Sequence, residues 1–593
     1  MEERAASDPV KISRGKKCVF LLSTVLLILL AVEVGARIIE FAAGSIRGNL
    51  REDGGFGQNN LYVEIKNPVK VFELAEQDGK SIYRRTLHHQ WIDPKLKFDA
   101  SKSADTIRIF CLGGSAAKGW PYQDAHTYPG FLAHKLGLLC DKRIEVINAA
   151  GFTYASHRVK FVFDEIVEYE PDLILIYSGN NEFLENFVYR PRSLGSPWSH
   201  LAVARIVHGW LVTQRQPTNI VDFENYGMAD HHATRLSFAF GKASTLREDP
   251  EQFRQVQAHY QYNIESMVKE ARRRNVPVML LSVPVNLKDW IPNVSVHRPD
   301  LTPSDLDRWT VHFRAGILAI EKQDYAAAAE AFEKAVAIDD EYAEAHYYLG
   351  VAKRHLGQTS EAKGHYLKAC EKDAYPFRSP PQFDAVLAEI GERHDIPLVD
   401  IRRTLEQRAG DGIPGLDVLI DYVHPTVASN ESIADAVLRQ MVEKGLLPTP
   451  LAASLSDIEV QIPPGIDETF HVMRSVYLQY LNMRQYDKLD RLSDKLIAAA
   501  KRVAQTKPEM AKFALHMIKR TEHIQPVVRD YRRLLRAEKL GILEQEFTSA
   551  EADAIFRRFV ELIRQVEGRN IPHREFEEYI PDLVYKVRKT AVD

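Results

Sequence analysis

A short apolar run that ends on two glycines and a serine is the feature that most constrains the fold. It reads Ile107-Arg-Ile-Phe-Cys-Leu-Gly-Gly-Ser-Ala-Ala-Lys-Gly119, and its β-branched apolar residues predict a buried strand. Gly113 and Gly114 allow the backbone to turn sharply, so we expect the strand to pass directly into a helix. The hydroxyl of Ser115 would then lie at the carboxyl edge of a parallel sheet, beside the N-terminus of that helix.

A second motif far downstream, Asp421-Tyr-Val-His424-Pro425, supplies the groups that such a serine would need. A serine hydroxyl is a poor nucleophile until a base takes its proton. His424 could do so if Asp421 fixes its tautomer and stabilises the imidazolium. Taken singly, neither motif decides the chemistry. Gly-Gly-Ser after a strand is also typical of a plain turn or an anion-binding loop, and Asp-x-x-His could be a helix-capping box or half of a metal site.

Two segments between the serine and the histidine share one form, a short apolar strand followed by small or amide residues. They are Glu145-Val-Ile-Asn148-Ala-Ala-Gly151-Phe-Thr153 and Pro171-Asp-Leu-Ile-Leu-Ile-Tyr-Ser-Gly179-Asn-Asn181-Glu182. Residues of this kind at strand ends provide the N–H donors that line an oxyanion pocket. In this order, the four motifs resemble those of the SGNH (GDSL-type) hydrolases, over roughly residues 100 to 445, interrupted by an insertion.

The resemblance implies an α/β fold of a particular kind, a flavodoxin-like three-layer α/β/α sandwich. It also implies a catalytic set in which Ser115 is the nucleophile, His424 the general base and Asp421 the residue that orients the histidine. The backbone N–H of Ser115 would be one donor of the oxyanion hole.

The remaining oxyanion donors implied by the resemblance are the side-chain amide of Asn181 and a backbone N–H of Thr153 or Gly151. Many family members have glycine at the position of Thr153, where the Cβ of threonine narrows the pocket and disfavours a positive φ. The chain departs from the family pattern at two further positions. Gly114 stands where an acidic residue is usual, and Glu182 where an aspartate is usual. Neither position performs the proton transfer.

Length and composition set outer limits. A chain of 593 residues is too long for one core and predicts two to four domains. With 77 Lys and Arg against 81 Asp and Glu, the formal net charge is −4, so no basic surface for nucleic acid is expected. The four cysteines fit neither a metal spacing nor a dense disulfide framework. We therefore expect no metal site, no cofactor and no nucleic-acid partner.

The N-terminal segment carries five basic residues within 1–17, followed by an uncharged run, Cys18–Val32. A helix of that run covers about 22 Å at 1.5 Å per residue and, extended to Ala36, nearly spans a ~30 Å hydrocarbon core. The pattern predicts a cytoplasmic basic tail at 1–17, a transmembrane signal-anchor at 18–36 and a membrane-proximal linker at 37–100. By the positive-inside bias, the protein would be a single-pass protein of the cytoplasmic (inner) membrane with an extracytoplasmic catalytic domain. A cleaved signal peptide and a buried soluble helix are the alternatives.

An internal repeat lies within 301–376, because four residues recur at an offset of 34. They are Gly316, Ala328, Phe332 and Ala335, which return as Gly350, Ala362, Tyr366 and Ala369. The period and pattern resemble tetratricopeptide repeats, in which small residues permit close helix packing and the aromatic fills a groove. The insertion either props up the domain or binds a protein partner through exposed polar side chains. The candidates for such contacts are His312, Arg314, Lys353 and Arg354.

The hydrolase scaffold is therefore expected in two parts, 101–300 and 377–446, with its last two strands at 276–285 and 396–401. Asn286 and Asp289 follow the fourth strand and are candidate substrate-binding residues, with turn capping as the alternative. Arg378 could clamp an anion or be a solvated surface arginine. From 447 to 593, apolar residues at helical spacing predict an α-helical domain of unknown role.

Together these features imply a membrane-anchored SGNH-type serine hydrolase, an esterase that acts on ester bonds of envelope carbohydrate or lipid through an acyl-serine intermediate. An envelope O-acetyltransferase would use the same residues. A non-catalytic envelope scaffold with a degenerate hydrolase fold is the alternative from another class of protein. The expected partners are an acyl-ester substrate such as an esterified polysaccharide and a protein bound by the repeats.

Overall fold

A computed structural model describes residues 24, 30–35, 37, 70–86, 92–183, 250–447, 462–482 and 485–567. The chain divides into two compact units, Met1–Pro68 with Tyr189–Tyr226 and Val69–Val188 with Gly227–Asp593. Residues 24, 30–35 and 37 are the described part of the first unit. All other described residues belong to the second.

The predicted membrane span at 18–36 is wrong. Across the described residues, including 24 and 30–35 of that segment, no helix has the length and hydrophobicity needed to cross a membrane. The charge-free run is short for a bilayer, and Glu33 pairs with Arg37 at 2.8 Å, so two charges lie at the end of the expected span. The inner-membrane localisation predicted from this span is therefore wrong. The prediction of envelope substrates, which was based on that localisation, loses its support. The predicted basic tail, the rest of 18–36 and residues 38–69 lie outside the described residues.

Strands within 72–85 and 97–99 form a small antiparallel sheet, in the part of the chain where the sequence predicts a linker. A two-residue turn, Asp78-Gly79, joins the first two strands with φ values of 51° and 74°, the left-handed backbone that such hairpin turns require. The carboxylate of Glu165 accepts the N–H groups of Val71 and Phe72 at 2.6 and 3.0 Å and so attaches the sheet to the larger domain. The strands are β1 (Phe72–Gln77), β2 (Lys80–Arg85) and β3 (Lys97–Asp99).

Five parallel strands form the central sheet in the order β5-β4-β6-β7-β8. Counted along the chain this is the order 2-1-3-4-5 of flavodoxin-like folds, which confirms the predicted fold class. Every residue of β4 and β6 is buried, because both faces of the sheet are covered. The strands are β4 (Thr106–Gly113), β5 (Arg143–Asn148), β6 (Leu173–Tyr177), β7 (Val278–Leu281) and β8 (Leu398–Val399).

The described helices account for both outer layers, the insertion and the C-terminal region. In chain order they are α1 (Ser115–Lys118), α2 (Tyr128–Leu139), α3 (Ser156–Ile166), α4 (Pro250–Arg273), α5 (Pro303–Glu321), α6 (Tyr325–Ile338), α7 (Ala343–His355), α8 (Thr359–Glu371), α9 (Pro381–His394), α10 (Ile401–Arg408), α11 (Val427–Glu443), α12 (Ile466–Asn482), α13 (Tyr486–Thr506), α14 (Ala511–Leu540), α15 (Leu543–Glu546) and α16 (Ser549–Glu567). Helices α2, α10 and α11 pack together as one layer, and α3, α4 and α9 as the other.

The first four helices after β7 form two hairpins, α5 with α6 and α7 with α8. The predicted glycine–aromatic pairs meet in both. A Cβ added to Gly316 would lie 2.7 Å from the ring of Phe332, and one added to Gly350 would lie 3.0 Å from the ring of Tyr366. Glycine therefore leaves room for the aromatic ring that fills the groove. The helical insertion is as expected, and its assignment to the tetratricopeptide class stays a prediction.

The C-terminal helices pack directly on this insertion. Leu540, at the end of α14, belongs to the same buried cluster as Trp309, Phe313 and Phe332. Arg536 donates to both carboxylate oxygens of Glu321 at 2.7 and 2.9 Å. The described residues between 462 and 567 are mostly helical, as expected, and they pack on the core of the hairpins.

Most of the side chains predicted to bind a protein partner have contacts within the chain. Lys353 pairs with two glutamates of the hairpins at 2.7 and 3.1 Å, and Arg354 pairs with Asp411 at 2.6 Å. Arg314 lies against Gly541, where an added Cβ would be 2.4 Å from the guanidinium. Three of the four candidates thus contribute to the packing of the insertion.

Candidate active site

The turn from β4 into α1 places Ser115 at the carboxyl edge of the sheet, as the sequence predicts. Gly113 has φ 151°, and a Cβ there would lie 2.0 Å from the carbonyl oxygen of Tyr177 on the neighbouring strand. Ser115 is the first residue of α1, and its side chain is mostly buried, with 6% of the residue exposed. The side chain of Ser115 is therefore largely shielded from bulk water.

Ser115, His424 and Asp421 form one continuous hydrogen-bonded chain. Nε2 of His424 lies 2.8 Å from Oγ of Ser115, and Nδ1 lies 2.6 Å from Oδ2 of Asp421. His424 is 2% exposed and Asp421 is fully buried. Two residues that are 309 positions apart are thus brought into direct contact, with the histidine in the orientation that general-base catalysis requires.

The carboxylate of Asp421 also fixes the backbone of its own loop. Its Oδ1 accepts the N–H groups of Val423 at 2.9 Å and His424 at 2.8 Å, while Oδ2 faces the imidazole. The N–H of Ile420 donates to the carbonyl of His424 at 2.8 Å and closes the turn. Because all these donors are buried, the carboxylate is satisfied only in this geometry, which holds the imidazole in place.

The side-chain amide of Asn181 lies against Gly114, the residue before Ser115. Its Nδ2 donates to the carbonyl of Tyr154 at 3.1 Å, which uses one of its two N–H bonds. A Cβ added to Gly114 would lie 2.4 Å from the same nitrogen. The absence of a side chain at Gly114, a departure from the family pattern, therefore leaves room for the amide of Asn181.

The two candidates for the third oxyanion donor differ in their hydrogen bonds. The N–H of Gly151 donates to the carbonyl of Gly113 at 3.0 Å, and a Cβ at Gly151 would lie 2.6 Å from the ring of Tyr154. Gly151 therefore serves packing. Thr153 adopts φ 58°, which its Cβ was expected to disfavour, and its N–H has no hydrogen bond in the described part of the chain. Strained backbone of this kind is typical of functional sites.

Glu182 supports Asn181 from the next position. Its carboxylate accepts the backbone N–H and the hydroxyl of Ser156, both at 2.8 Å, at the first turn of α3. A carboxylate at a helix N-terminus is favoured by the helix dipole. Asn263 on α4 donates to the same hydroxyl at 3.1 Å. The glutamate that replaces the usual aspartate thus fixes the strand end that carries Asn181.

Asn286 and Asp289, the predicted substrate-binding residues, make hydrogen bonds to neighbouring loops of the chain. Asn286 is fully buried, and its side chain donates to the carbonyl of Asp421 at 2.9 Å and accepts the N–H of Asp289 at 2.9 Å. The carboxylate of Asp289 accepts the N–H of Leu416 at 2.8 Å. Both side chains therefore make the hydrogen bonds that turn capping predicts, and their role in substrate binding stays a prediction.

Arg378 is also not the surface residue that the sequence suggested. It is 1% exposed and donates from Nη1 to the carbonyls of Asn286 and Trp290 at 3.1 and 3.0 Å. Its guanidinium lies 3.5 Å from the buried carboxylate of Asp373. The arginine holds the loop after β7 and is not available to an anionic ligand.

Helix α12 contacts the loop that carries His424 and the segment that contains Gln123 and His126. The sequence does not predict these contacts. The hydroxyl of Tyr480 donates to the carbonyl of Ile420 at 2.7 Å, four residues before His424. At the other end of the helix, Glu468 accepts the N–H of Gln123 at 2.9 Å and lies 2.8 Å from Nδ1 of His126. Both contacts join segments that are 60 or more residues apart, and no local motif marks them.

Aromatic side chains cover the histidine. The ring centre of Trp120 lies 4.7 Å from that of His424, and the ring centre of Tyr422 lies 5.7 Å from it. Apolar cover of this kind limits access of water and strengthens the hydrogen bonds between Asp421, His424 and Ser115. The arrangement as a whole can activate a hydroxyl for attack on a carbonyl and can stabilise the oxyanion that follows.

Comparison with known proteins gives structural likeness only. No protein-family model matches the chain, and no curated protein matches it. A GDSL-like lipase from Bacteroides thetaiotaomicron is 13% identical, with a TM-score of 0.26 over 59% of this chain and 93% of its own. A lipase/acylhydrolase from Enterococcus faecalis is 12% identical, with a TM-score of 0.24 over 57% of this chain and 97% of its own. GDSL-type lipases and acylhydrolases are thus among the solved structures to which this chain is similar.

Proposed function

We propose that the chain is a serine hydrolase that cleaves ester bonds through an acyl-serine intermediate. The observation that carries this proposal is the hydrogen-bonded chain from Asp421 through His424 to Ser115. A non-catalytic scaffold would not need a buried carboxylate, an imidazole and a hydroxyl in one hydrogen-bonded chain, with the serine and the histidine 309 positions apart in the sequence. The assembled geometry therefore favours the enzyme over the non-catalytic alternative.

In the first step, Oγ of Ser115 attacks the ester carbonyl while Nε2 of His424 takes the hydroxyl proton. The carbonyl electron pair moves to oxygen, and the tetrahedral intermediate collapses as the alcohol leaves with the proton from Nε2. Water then repeats the sequence on the acyl-serine and releases the acid. Asp421 stays ionised throughout and stabilises the imidazolium.

The developing oxyanion would receive up to three donors. They are the N–H of Ser115 at the start of α1, the N–H of Asn181 that does not bond to Tyr154, and the N–H of Thr153. Donors that are fixed before the reaction cost no reorganisation in the transition state, which makes them the largest catalytic contribution in many acyl-transfer enzymes.

Turnover of 4-nitrophenyl acetate tests the assignment. We expect Ser115→Ala and His424→Ala each to remove essentially all activity, and Asp421→Asn to lower kcat on the order of 10⁴-fold because the histidine tautomer is no longer fixed. Asn181→Ala should cost about 10²- to 10³-fold, since other donors remain. Ser101→Ala, at an exposed position, is the matched control. Full activity of the Ser115→Ala protein would refute the proposal.

A further inference from the structure

Asn180, the residue before the proposed oxyanion donor Asn181, is buried against it. Both residues are 3% exposed. Nδ2 of Asn180 donates to Oδ1 of Asn181 at 3.2 Å. A Cβ added to Gly114 would lie 3.6 Å from Oδ1 of Asn180 and 2.4 Å from Nδ2 of Asn181. The two amides therefore share the space beside Gly114, the residue before Ser115.

The chain that carries the two amides is held on both sides. Before them, the hydroxyl of Tyr260 donates to the carbonyl of Ser178 at 2.9 Å. After them, the carboxylate of Glu182 accepts the N–H and the hydroxyl of Ser156, both at 2.8 Å. Because these bonds fix the backbone, the main freedom left to Asn181 is the rotation of its side-chain amide.

That rotation decides whether Asn181 can serve as a donor. A half-turn of an asparagine amide exchanges its NH₂ group and its oxygen with almost no change of shape. In the structure, Nδ2 donates to the carbonyl of Tyr154 at 3.1 Å and Oδ1 accepts from Asn180. The rotated amide would place oxygen against the Tyr154 carbonyl and NH₂ against the NH₂ of Asn180. Both contacts therefore favour the orientation that offers an N–H to an oxyanion.

We propose that Asn180 is a positioning residue for the hydrolase reaction, which fixes the amide of Asn181 in its donating orientation. The inference rests on the proposed function, in which Asn181 donates to the oxyanion. The bond from Asn180 also polarises the amide of Asn181, which strengthens donation from Nδ2. Only the transition state carries the oxyanion, so the loss of Asn180 should lower kcat and leave KM nearly unchanged.

Two substitutions separate the hydrogen bond from the volume of the side chain. Asn180→Leu keeps nearly the same volume and removes the N–H, whereas Asn180→Ala removes both. With 4-nitrophenyl acetate, we expect each variant to lower kcat about 10-fold, less than the loss of a whole oxyanion donor. If Asn180 only fills space, Asn180→Ala alone should be impaired, because it alone leaves a cavity. Wild-type kcat in Asn180→Leu would overturn the positioning role.

Asn293→Ala is the control for the loss of a side-chain amide. Asn293 is half-buried, and its Nδ2 donates to the carbonyl of Tyr375 at 3.0 Å. Among the described hydrogen bonds it has none to Asn180 or Asn181. This variant should lose stability in urea unfolding and keep a kcat near that of the wild type. A fall in its kcat equal to that of Asn180→Leu would show that the assay reports stability, and would overturn the inference.

A double-mutant cycle with Asn181→Ala tests whether Asn180 acts through its neighbour. In that background, Asn180→Leu and Asn180→Ala should each change kcat less than about twofold, because the amide that they position is absent. Falls as large as in the wild-type background would overturn the positioning role and leave the hydrolase intact. Wild-type kcat in Asn181→Ala would instead refute the oxyanion role of Asn181, and with it the role of Asn180. A wild-type protein that turns over no ester would refute the hydrolase proposal itself.

Discussion

The side-chain amide of Asn286 donates a hydrogen bond to the backbone carbonyl of Asp421 at 2.9 Å. This bond ties the loop after β7 to the loop that carries the proposed orienting carboxylate, across 135 residues of sequence. Because Asn286 also accepts the N–H of Asp289, its side chain serves two loops at once. The position of His424 thus depends on a residue that touches neither the histidine nor the serine.

Asn286→Ala should weaken both the fold and the catalytic step. It leaves a buried carbonyl and a buried N–H without partners, and each such group costs about 1–3 kcal/mol. Urea unfolding measures the loss of unfolding free energy. The kcat of the folded protein reports whether the Asp421 loop is displaced. Asp300→Ala, at an exposed loop position, should change neither quantity. Wild-type kcat in Asn286→Ala would show that the loop holds its geometry without this bond.

Gly114→Ala should displace Asn181 and lower activity, since the added Cβ would lie 2.4 Å from Nδ2. We expect a fall in kcat on the order of 10²-fold, the cost of one oxyanion donor. Gly137→Ala is the control, because a Cβ at Gly137, within α2, meets no atom within 4 Å. That variant should be active and slightly more stable, as alanine favours helix. If the two variants were equally active, Asn181 would not be a donor of the oxyanion hole.

Tyr480→Phe tests whether α12 supports the catalytic loop. The change removes only the hydroxyl that bonds to the carbonyl of Ile420 at 2.7 Å, and Ile420 in turn bonds to His424. We expect unfolding stability to fall by about 0.5–1.5 kcal/mol and kcat to fall while KM changes little. Tyr325→Phe, on α6, loses a hydroxyl without a hydrogen bond in the described structure and is the control. An unchanged kcat in Tyr480→Phe would limit α12 to a packing role.

Asp411 should make stability depend on pH. Burial would raise its pKa, but hydrogen bonds from Lys288 and Arg354 outweigh burial and lower the pKa to about 2. A carboxylate whose pKa is lower in the folded state stabilises the fold above its ordinary value of 3.8, and the contribution disappears as the pH falls towards 2. Asp411→Asn should therefore lower the unfolding free energy by about 1 kcal/mol at pH 7, with a smaller difference below pH 4. A difference that does not vary between pH 7 and pH 3 would exclude this linkage.

Local patterns in the sequence predicted the elements that depend on neighbouring residues. The apolar runs that end on glycine or amide residues gave the parallel strands, since a strand covered on both faces is apolar along its length. The 34-residue offset gave the hairpins, because the glycine and aromatic residues that meet in each hairpin are part of the repeat itself. Ser115, His424 and Asp421 were identified by motifs that carry their own chemistry.

The sequence did not predict features that depend on long-range contacts. Asn286 and Arg378 are polar residues of the kind usually found at the surface, yet both are buried. Their side chains donate to backbone carbonyls, and no sequence pattern indicates these partners. Tyr480 and Glu468 lie on a helix of mixed polarity. No sequence motif at these residues indicates their contacts with the site. The hairpin at Asp78-Gly79 was missed although Asp-Gly between alternating segments is a strong hairpin signal. The prediction of a membrane span is wrong because it rests on an apolar run that is barely long enough to cross a bilayer.

Covalent labelling tests the central claim most directly. A fluorophosphonate reacts only with a serine whose proton is taken by a neighbouring base, so it reports the Ser115 and His424 pair without knowledge of the substrate. We expect the wild-type protein to gain one adduct, with the mass increase on the peptide that contains Ser115. Ser115→Ala and His424→Ala should gain none, while Ser101→Ala should label as the wild type does. An adduct of equal yield on the Ser115→Ala protein, or no adduct on the folded wild type, would contradict the account.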